Sequence, residues 1–188
     1  LLIERFDRTP DGARRMTVSA LTILGLGESE ARYGTYPEIL DQLRIIGDGS
    51  PGLGRRLFER IAFNIAISNS DDHLRNHAAF WDGKQLSLTP AFDLSPMRRS
   101  GETARQALAY GRQRQRESNF AALVEQAGIY DLTRPQALDI VEHIRDTIEA
   151  NWIEAADKAR LRKADRDLLW HNQFLNRAAS YGLPSAST

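Results

Sequence analysis

The sequence predicts a mainly α-helical fold with one small β-hairpin, and three observations support this class. Apolar residues recur at helical spacing over about residues 53–68 and form a broad stripe on one face. A second stripe of the same period begins at residue 133 and extends to about residue 156. Between them, residues 78–81 and 85–88 alternate around Asp82-Gly83, a pair that is typical of hairpin turns. We therefore expect a helical bundle with a short hairpin.

Composition limits the class of protein. The 188 residues are enough for one domain with a substantial core. Basic and acidic residues number 25 each, so the whole surface has no excess charge to attract nucleic acid, and we expect no direct nucleic-acid binding. Cysteine is absent, which excludes disulfides and thiolate metal sites. No apolar run is long enough to span a bilayer, so we expect no membrane association and a cytoplasmic location.

The N-terminal residues predict a small hairpin followed by a short helix. Asp11-Gly12 is typical of a turn, and residues 14–18 favour a strand that pairs with the preceding segment. Ser19 stands where it can cap a helix that extends to Leu26.

A capping box marks the start of the next helix. Thr35 and Glu38 stand three residues apart, which favours a helix that ends at Gly47. Its expected buried face consists of Ile39, Leu40, Leu43 and Ile46. The glycine-rich stretch 47–54 contains Pro51 and lacks the lysine of a Walker loop, so we interpret it as a turn between helices.

The helix over residues 53–68 has the strongest periodic signal in the first half of the chain. Its apolar stripe consists of Leu57, Phe58, Ile61, Ala62, Ile65 and Ala66. We interpret it as the buried central helix, whose rigidity would fix the position of the polar loop that follows.

Three further helices are expected in the C-terminal half. Ser118 or Asn119 favours a cap for a helix ending at Gly128, and Thr133 with Pro135 begins the long helix. Its expected buried face is Leu138, Val141, Ile144, Ile148 and Trp152. The last helix is expected to begin at residue 165 or 166. Its candidate buried residues are Leu168, Leu169, Phe174 and Leu175.

Polar side chains crowd the end of the central helix. Asp71, His73 and Asn76 lie there, and the predicted hairpin would bring Asp93 back towards Asn76. Phosphoryl transfer from a nucleotide needs a carboxylate that positions the attacking hydroxyl, and oxygen ligands for Mg²⁺. Asp71 fits the first role, and Asn76 with Asp93 fits the second. His73 is interpreted as orienting the loop rather than binding the metal.

Two other interpretations of these polar residues stay open. Asp and Asn after a helix are also ordinary turn residues, because their side chains bond the local backbone. A zinc site is the second alternative, since His73 and His77 stand four apart, although Leu74 replaces the acid that follows the first histidine in zinc proteases.

Two stretches of the chain resemble a known family. Asn69-Ser70-Asp71-Asp72-His73-Leu74-Arg75-Asn76 and Leu88-Thr89-Pro90-Ala91-Phe92-Asp93-Leu94 resemble the catalytic core of HipA-like serine/threonine kinases, the toxins of bacterial toxin–antitoxin modules. Ile3-Glu4-Arg5-Phe6-Asp7-Arg8 is similar to the opening signature of the same family. The Asp-x-His-x-x-Asn order also looks like that of phosphatidylinositol kinases, so a lipid or small-molecule kinase stays an alternative, as does a non-catalytic binding module.

The resemblance implies specific roles for these residues. Asp71 would be the catalytic base, and Asn76 and Asp93 would hold Mg²⁺. Glu4, Phe6 and Asp7 would belong to a hinge that touches the adenine of ATP. The substrate would be a protein, an aminoacyl-tRNA synthetase in characterised members, and the partner a DNA-binding antitoxin.

The resemblance also predicts how the chain is organised. Residues 1–184 would form the C-terminal large lobe, with a hinge at 1–8, a catalytic loop at 69–76 and a metal-binding loop at 89–96. Residues 185–188 would be a tail. Kinases of this family carry a small lobe before the hinge, with a phosphate-covering loop and a lysine for the phosphates. We expect this chain to be the large lobe only and inactive as a kinase by itself.

An arginine-rich segment follows the predicted metal-binding loop. Its arginines are Arg98, Arg99, Arg105, Arg112, Arg114 and Arg116. Such a run is usually a solvated face. Alternatively, its position matches the activation or substrate segment of kinases, where arginines could meet an anionic partner.

Overall fold

The structure, a computed structural model, describes residues 3–97 and 101–184. Its strands are β1 (Thr17–Ser19), β2 (Ala78–Trp81) and β3 (Leu86–Leu88). Its α-helices are α1 (Ala20–Ile23), α2 (Tyr36–Ile46), α3 (Leu53–Ala66), α4 (Phe120–Val124), α5 (Arg134–Lys158) and α6 (Lys163–Leu169). Short 3-10 helices occupy Glu28–Tyr33, Leu74–Asn76, Ala127–Tyr130 and Arg177–Ser180. The predicted class, mainly α with a small β element, is confirmed.

Helix α3 is the centre of the core, as predicted. The six apolar residues of its stripe are all fully buried. Helices α2, α4 and α5 pack around it, and the 3-10 helix at 127–130 crosses its N-terminal turn. The contact at this crossing is close because residue 54 is glycine: a Cβ there would lie 2.4 Å from the carbonyl oxygen of Tyr130.

The predicted hairpin is present, but it belongs to a three-stranded sheet. Strands β2 and β3 are antiparallel, with Ala79 opposite Leu88. Strand β1 pairs with β2, placing Thr17 opposite Phe80. The predicted turn at Asp11-Gly12 does close a small hairpin with the preceding segment, in which Arg8 forms an antiparallel bridge with Arg14. The N–H of Arg15 also donates to the carbonyl of Asp7 at 2.9 Å, and the chain beyond this hairpin, β1, then pairs with β2.

Helix α2 begins and ends as predicted, with one change in its buried face. The Thr35 hydroxyl accepts a hydrogen bond from the N–H of Glu38 at 3.2 Å, and the helix ends before Gly47. Ile39, Leu40 and Leu43 are buried, but Ile46, the last residue of the helix, is 39% exposed. Helix α1 is also shorter than expected, although Ser19 caps it as predicted.

The C-terminal half differs most from the prediction. Helix α5 begins after the Thr133 cap as expected, and α4 is a short helix capped by Asn119. Helix α6, however, begins at Lys163 and has no buried residue. The apolar residues Phe174 and Leu175 follow it in a turn, where the N–H of Leu175 donates to the carbonyl of Ala66 at 2.7 Å. The last predicted helix therefore contributes to the core through the loop after it.

The predicted tail, residues 185–188, lies outside the described residues, as do Leu1 and Leu2. Over the ranges 3–97 and 101–184, no helix combines the length and the apolar character needed to cross a lipid bilayer.

Candidate active site

The predicted catalytic loop, residues 69–76, leaves the C-terminal end of α3 through a tight turn. Ser68 adopts a left-handed backbone with φ of 56°, and its hydroxyl donates to the carbonyl of Gln173 at 2.7 Å. The N–H of Asn69 donates to the carbonyl of Asn64 at 2.8 Å. Because both ends of this turn are bonded to buried parts of the fold, the loop begins from a fixed position.

Asp71 and His73, the predicted catalytic residues, lie in the extended part of this loop. Asp71 is exposed, and its carboxylate has no hydrogen bond or ion pair with any residue that the structure describes. His73 is half-buried, and its Nδ1 lies inside the protein without a partner in the described ranges. The Asp71 carboxylate is therefore available to accept a hydrogen bond from a ligand.

Asn76, a predicted metal ligand, is buried where the loop enters β2. It ends the 3-10 turn at 74–76 and is 7% exposed. Its side-chain amide makes no hydrogen bond to the residues described, although buried amides normally find partners. A free amide oxygen at the edge of the buried core suits a hard divalent cation such as Mg²⁺.

Asp93, the second predicted metal ligand, lies on a loop whose two ends are bonded to residues that flank the predicted catalytic loop. At its start, the N–H of Thr89 donates to the carbonyl of Ala78 at 3.1 Å, two residues after Asn76. At its end, the N–H of Met97 donates to the carbonyl of Ser68 at 3.3 Å. The two predicted loops thus lie side by side, and the hairpin returns the chain towards Asn76.

The backbone at Asp93 is strained. Its φ is 56°, a left-handed value that is uncommon outside glycine but tolerated by Asp. Its side chain is exposed and unpaired among the described residues. Strained backbone of this kind is often found at ligand-binding loops.

The predicted hinge packs against the loop that carries Asp93. The ring of Phe6 lies 5.5 Å from that of Phe92 and 5.9 Å from that of Phe80. Asp7 accepts hydrogen bonds from Arg5 at 2.6 and 2.8 Å and pairs with Arg8 at 2.7 Å. The bond from Arg5 lowers the pKa of Asp7 to about 2. The structure thus uses the Asp7 carboxylate to hold the hinge, while Glu4 stays exposed.

A buried carboxylate beside the catalytic loop was missed by the sequence analysis. Asp72 is 2% exposed, and its Oδ2 accepts hydrogen bonds from the Tyr36 hydroxyl, from Asn64 Nδ2 at 2.8 Å and from His77 Nε2 at 2.9 Å. Burial, followed by the nearby Asp72 charge, raises the pKa of Tyr36. The available signal was Asn64, a polar residue on the apolar face of α3.

The alternative zinc site lacks its geometric basis. His73 and His77 flank a 3-10 turn rather than sharing a helix face, and His77 Nε2 is bonded to Asp72. Within residues 3–97 and 101–184, no group of three or more His, Cys, Asp and Glu side chains is arranged to hold a metal ion. The Mg²⁺ ligand set predicted above includes an amide and is not of this kind.

Three arginines of the arginine-rich segment bind acceptors within the fold. Arg112 pairs with Asp41 at 2.9 Å, and Arg114 donates to the carbonyl of Tyr33 at 2.9 Å. Arg116 donates to the carbonyls of Arg32 and Ala107. These contacts tie the segment to α2 and to the 3-10 helix before it. Arg98 and Arg99, in the same predicted segment, lie outside the described residues.

Comparisons with known proteins agree with this architecture. The sequence matches the model of the HipA-like C-terminal domain over residues 1–152. The protein named "Putative kinase Y4dM" of Sinorhizobium fredii is 32% identical over 96 residues, which are 50% of this chain and 23% of that protein.

A solved structure shares the fold. A chain of the Shewanella oneidensis MR-1 toxin–antitoxin complex of HipA, HipB and operator DNA matches with a TM-score of 0.65 and 20% identity. The match covers 93% of this chain and 47% of that chain, so the chain spans less than half the length of either relative. The predicted kinase-like C-terminal lobe is the fold observed. The chain belongs to the family of HipA-like C-terminal domains.

Proposed function

We propose that this lobe takes part in transferring the terminal phosphoryl group of ATP to a serine or threonine hydroxyl of a protein. The observation that carries the proposal is the anchoring of the Asp93 loop. Its first residue is bonded to Ala78, just after Asn76, and its end is bonded to Ser68, just before Asp71. These two bonds support a position for the Asp93 loop beside the segment that carries Asp71 and Asn76.

The unpaired polar groups fit the parts of phosphoryl transfer. Asp71 orients the acceptor hydroxyl by accepting its hydrogen bond and takes up its proton. Asn76 and Asp93 supply the oxygens that hold Mg²⁺, with His73 orienting the loop between Asp71 and Asn76. Mg²⁺ held there would supply positive charge that neutralises the charge developing on the transferred phosphoryl group.

The hinge residues supply one side of the nucleotide site in this proposal. Glu4, Phe6 and Asp7 lie in the segment proposed to meet the adenine, and Phe6 connects that segment to Phe92, next to Asp93. We assign residues 1–184 to one large lobe with the hinge, catalytic loop and metal-binding loop at the positions predicted.

The 188 residues contain no glycine-rich loop followed by a lysine that would cover the phosphates. Because phosphoryl transfer depends on positioning, we propose that these residues alone have little or no turnover. Full activity would need an N-terminal lobe of the HipA-like kind.

The proposed partners are a protein substrate and a DNA-binding antitoxin. The Shewanella relative was solved with HipB and operator DNA, which supports an antitoxin partner for a protein of this fold. An aminoacyl-tRNA synthetase is the substrate that the HipA-like resemblance suggests. The antitoxin, rather than this near-neutral lobe, would contribute the contacts to DNA.

A phosphate-transfer assay tests the proposal. This lobe, joined to a HipA-like N-terminal lobe, is incubated with labelled ATP, Mg²⁺ and either a protein extract or lipid vesicles. We expect label on protein serine or threonine, and a loss of at least about a hundredfold in Asp71→Asn. Asp146→Asn, which changes an exposed carboxylate on α5, is the matched control and should retain activity.

Other results would assign a different function. Label on lipid would favour a lipid kinase. An absence of both transfer and Mg²⁺-ATP binding would favour a non-catalytic binding module. Normal turnover by the 188 residues alone would contradict the proposed need for a second lobe.

A further inference from the structure

A cavity of about 690 Å³ lies behind the loop that carries Asp93. Its walls are α3, the start of that loop and the N-terminal half of α5. Its volume falls within the range of about 300–1,000 Å³ that is usual for small-molecule sites. None of the residues proposed above for phosphoryl transfer lines it.

Two arginines on the α3 wall form no ion pair with an acid among the described residues, although the charge of Arg56 acts on Asp48 and that of Asp72 acts on Arg60. The guanidinium of Arg56 donates to the carbonyl of Leu88 at 2.9 Å, and that of Arg60 donates to the carbonyl of Thr89. Neither forms an ion pair with a carboxylate in the part of the chain that the structure describes. Each guanidinium carries five N–H donors, so one carbonyl leaves most of them available.

The burial of Arg60 makes this arrangement costly. The residue is 8% exposed, and its Nη1 is buried without a hydrogen-bond partner among the described residues. Burial lowers its pKa to about 10. Arg60 also lines the cavity, so an anion bound against that wall would offset the cost of its buried charge.

The acids of the cavity leave this positive region intact. Glu59 is paired with Arg55 at 2.8 Å, so those two charges balance each other. Asp139 stands on the α5 wall and is exposed. An anion is therefore attracted to the α3 wall, at Arg56 and Arg60, and repelled from the Asp139 side.

The remaining walls are largely apolar. Phe63, Ile140 and Ile144 line the cavity from α3 and α5, and Leu94, 37% exposed, lines it from the Asp93 loop. Inorganic phosphate alone would leave these walls unfilled. A ligand with a charged head and an apolar body matches both parts of the lining.

We propose that this cavity binds a small organic anion, with its carboxylate or phosphate-monoester head at Arg56 and Arg60 and its apolar body against Ile140 and Ile144. The site is separate from the proposed nucleotide site and does not depend on the proposed kinase activity. It adjoins that site, because Arg56 and Arg60 hold the carbonyls of the residues that lead into the Asp93 loop.

Calorimetric titration of the purified protein tests this proposal. The probes are octanoate and octyl phosphate, which share an apolar chain and differ in the charged head, with octanol and inorganic phosphate as references. We expect one molecule of octanoate or octyl phosphate to bind per chain, the tighter of the two identifying the preferred head. Octanol and inorganic phosphate should each bind at least about tenfold more weakly.

Neighbouring arginines on α3 provide the matched variants. Arg56→Gln should weaken binding of the preferred probe by about tenfold or more, since it removes a charged donor at the head. Arg55→Gln, in the same cavity wall, should change binding less than threefold because Arg55 is already paired with Glu59. Ile144→Glu, which leaves both arginines in place, should also abolish binding by adding a carboxylate to the apolar wall.

Three outcomes would overturn the proposal. The first is that neither octanoate nor octyl phosphate binds. The second is that octanol binds as tightly as both. The third is that Arg55→Gln and Arg56→Gln weaken binding equally while circular dichroism shows both variants folded.

Discussion

At the scale of single residues, the buried carboxylate of Asp72 explains how the proposed catalytic loop is held. A buried charge is costly unless several groups hydrogen-bond to it. Tyr36, Asn64 and His77 provide those bonds from α2, α3 and the residue just before β2. Asp72 is therefore a positioning residue, fixed from three directions, next to the exposed Asp71.

Removing one of these donors should destabilise the fold. Tyr36→Phe deletes a hydrogen bond to a buried charged group, so we expect the free energy of unfolding to fall by about 2 kcal/mol. Urea denaturation measures this change, with an unchanged slope indicating an intact folded state. Tyr33→Phe, at a residue that is 50% exposed, is the control and should change stability by less than about 0.5 kcal/mol. Equal effects of the two variants would contradict this account of the Asp72 network.

At the scale of secondary-structure elements, helix α3 connects the separate parts of the fold. Asn64 bonds to Asp72, Arg56 bonds to the end of β3, and the carbonyl of Ala66 accepts the N–H of Leu175. Its first turn passes so close to residues 127–130 that only glycine fits at position 54. The helix thus sets the positions of the catalytic loop, the sheet and the C-terminal segment together.

Gly54→Ala tests this close packing. Alanine favours a helix over glycine by about 1 kcal/mol, whereas a Cβ facing the Tyr130 backbone forces a shift that costs about 1–3 kcal/mol or more. We expect the steric cost to win, because the opposing atom is a main-chain carbonyl 2.4 Å away. Thermal or urea unfolding should show a net loss of stability of about 1–2 kcal/mol.

Gly128→Ala is the matched control for this prediction. Residue 128 lies in the facing 3-10 helix, and a Cβ there would meet nothing within 4 Å. This variant should be neutral or stabilised by up to about 1 kcal/mol. A stabilised Gly54→Ala protein would show that the helices are not packed as described.

At the scale of the whole molecule, the hydroxyls of buried tyrosines donate hydrogen bonds that join separate segments of the fold. Tyr36 reaches Asp72, Tyr130 donates to the carbonyl of Tyr110 at 2.6 Å, and Tyr110 donates to the carbonyl of Glu117 at 2.9 Å. Burial is the main cause that raises the pKa of all three hydroxyls. The fold therefore depends on keeping these hydroxyls protonated.

Stability should consequently decrease in alkali. Because tyrosines ionise near pH 10 in the unfolded chain and only at higher pH in the fold, their contribution is complete below about pH 10 and is lost above it. Urea denaturation at a series of pH values should show this loss, with a smaller decrease in Tyr36→Phe. Unchanged stability up to about pH 11 would contradict the prediction.

The sequence predicted those features that depend on local patterns. Helix α3, the long helix α5 and the hairpin around Asp82-Gly83 follow from periodicity and turn chemistry over neighbouring residues. The pairing of Thr17 with Phe80 could not be predicted, since no local pattern specifies a partner so far along the chain. The buried face predicted for the last helix was wrong because Phe174 and Leu175 lie beyond the end of α6 and pack from a turn.

The candidate site was predictable in part for the same reason. Asp71, Asn76 and Asp93 stand in motifs that resemble those of the HipA-like family, so their roles could be predicted from the residue types and their order in the sequence. The Asp72 network depends on Tyr36 from another helix, and the bond from Met97 to Ser68 joins two loops. Such long-range contacts become visible only in the folded structure.

The central claim is that Asp71, Asn76 and Asp93 surround one divalent ion and the hydroxyl that receives the phosphate. Amide NMR spectra of this lobe, joined to a HipA-like N-terminal lobe, can test it directly with ATP and paramagnetic Mn²⁺, which shares the oxygen ligands of Mg²⁺. We predict that resonances of residues 70–76 and 91–94 broaden together and that Asp93→Ala prevents this. Broadening of only one segment, or broadening that survives Asp93→Ala, would contradict the shared site.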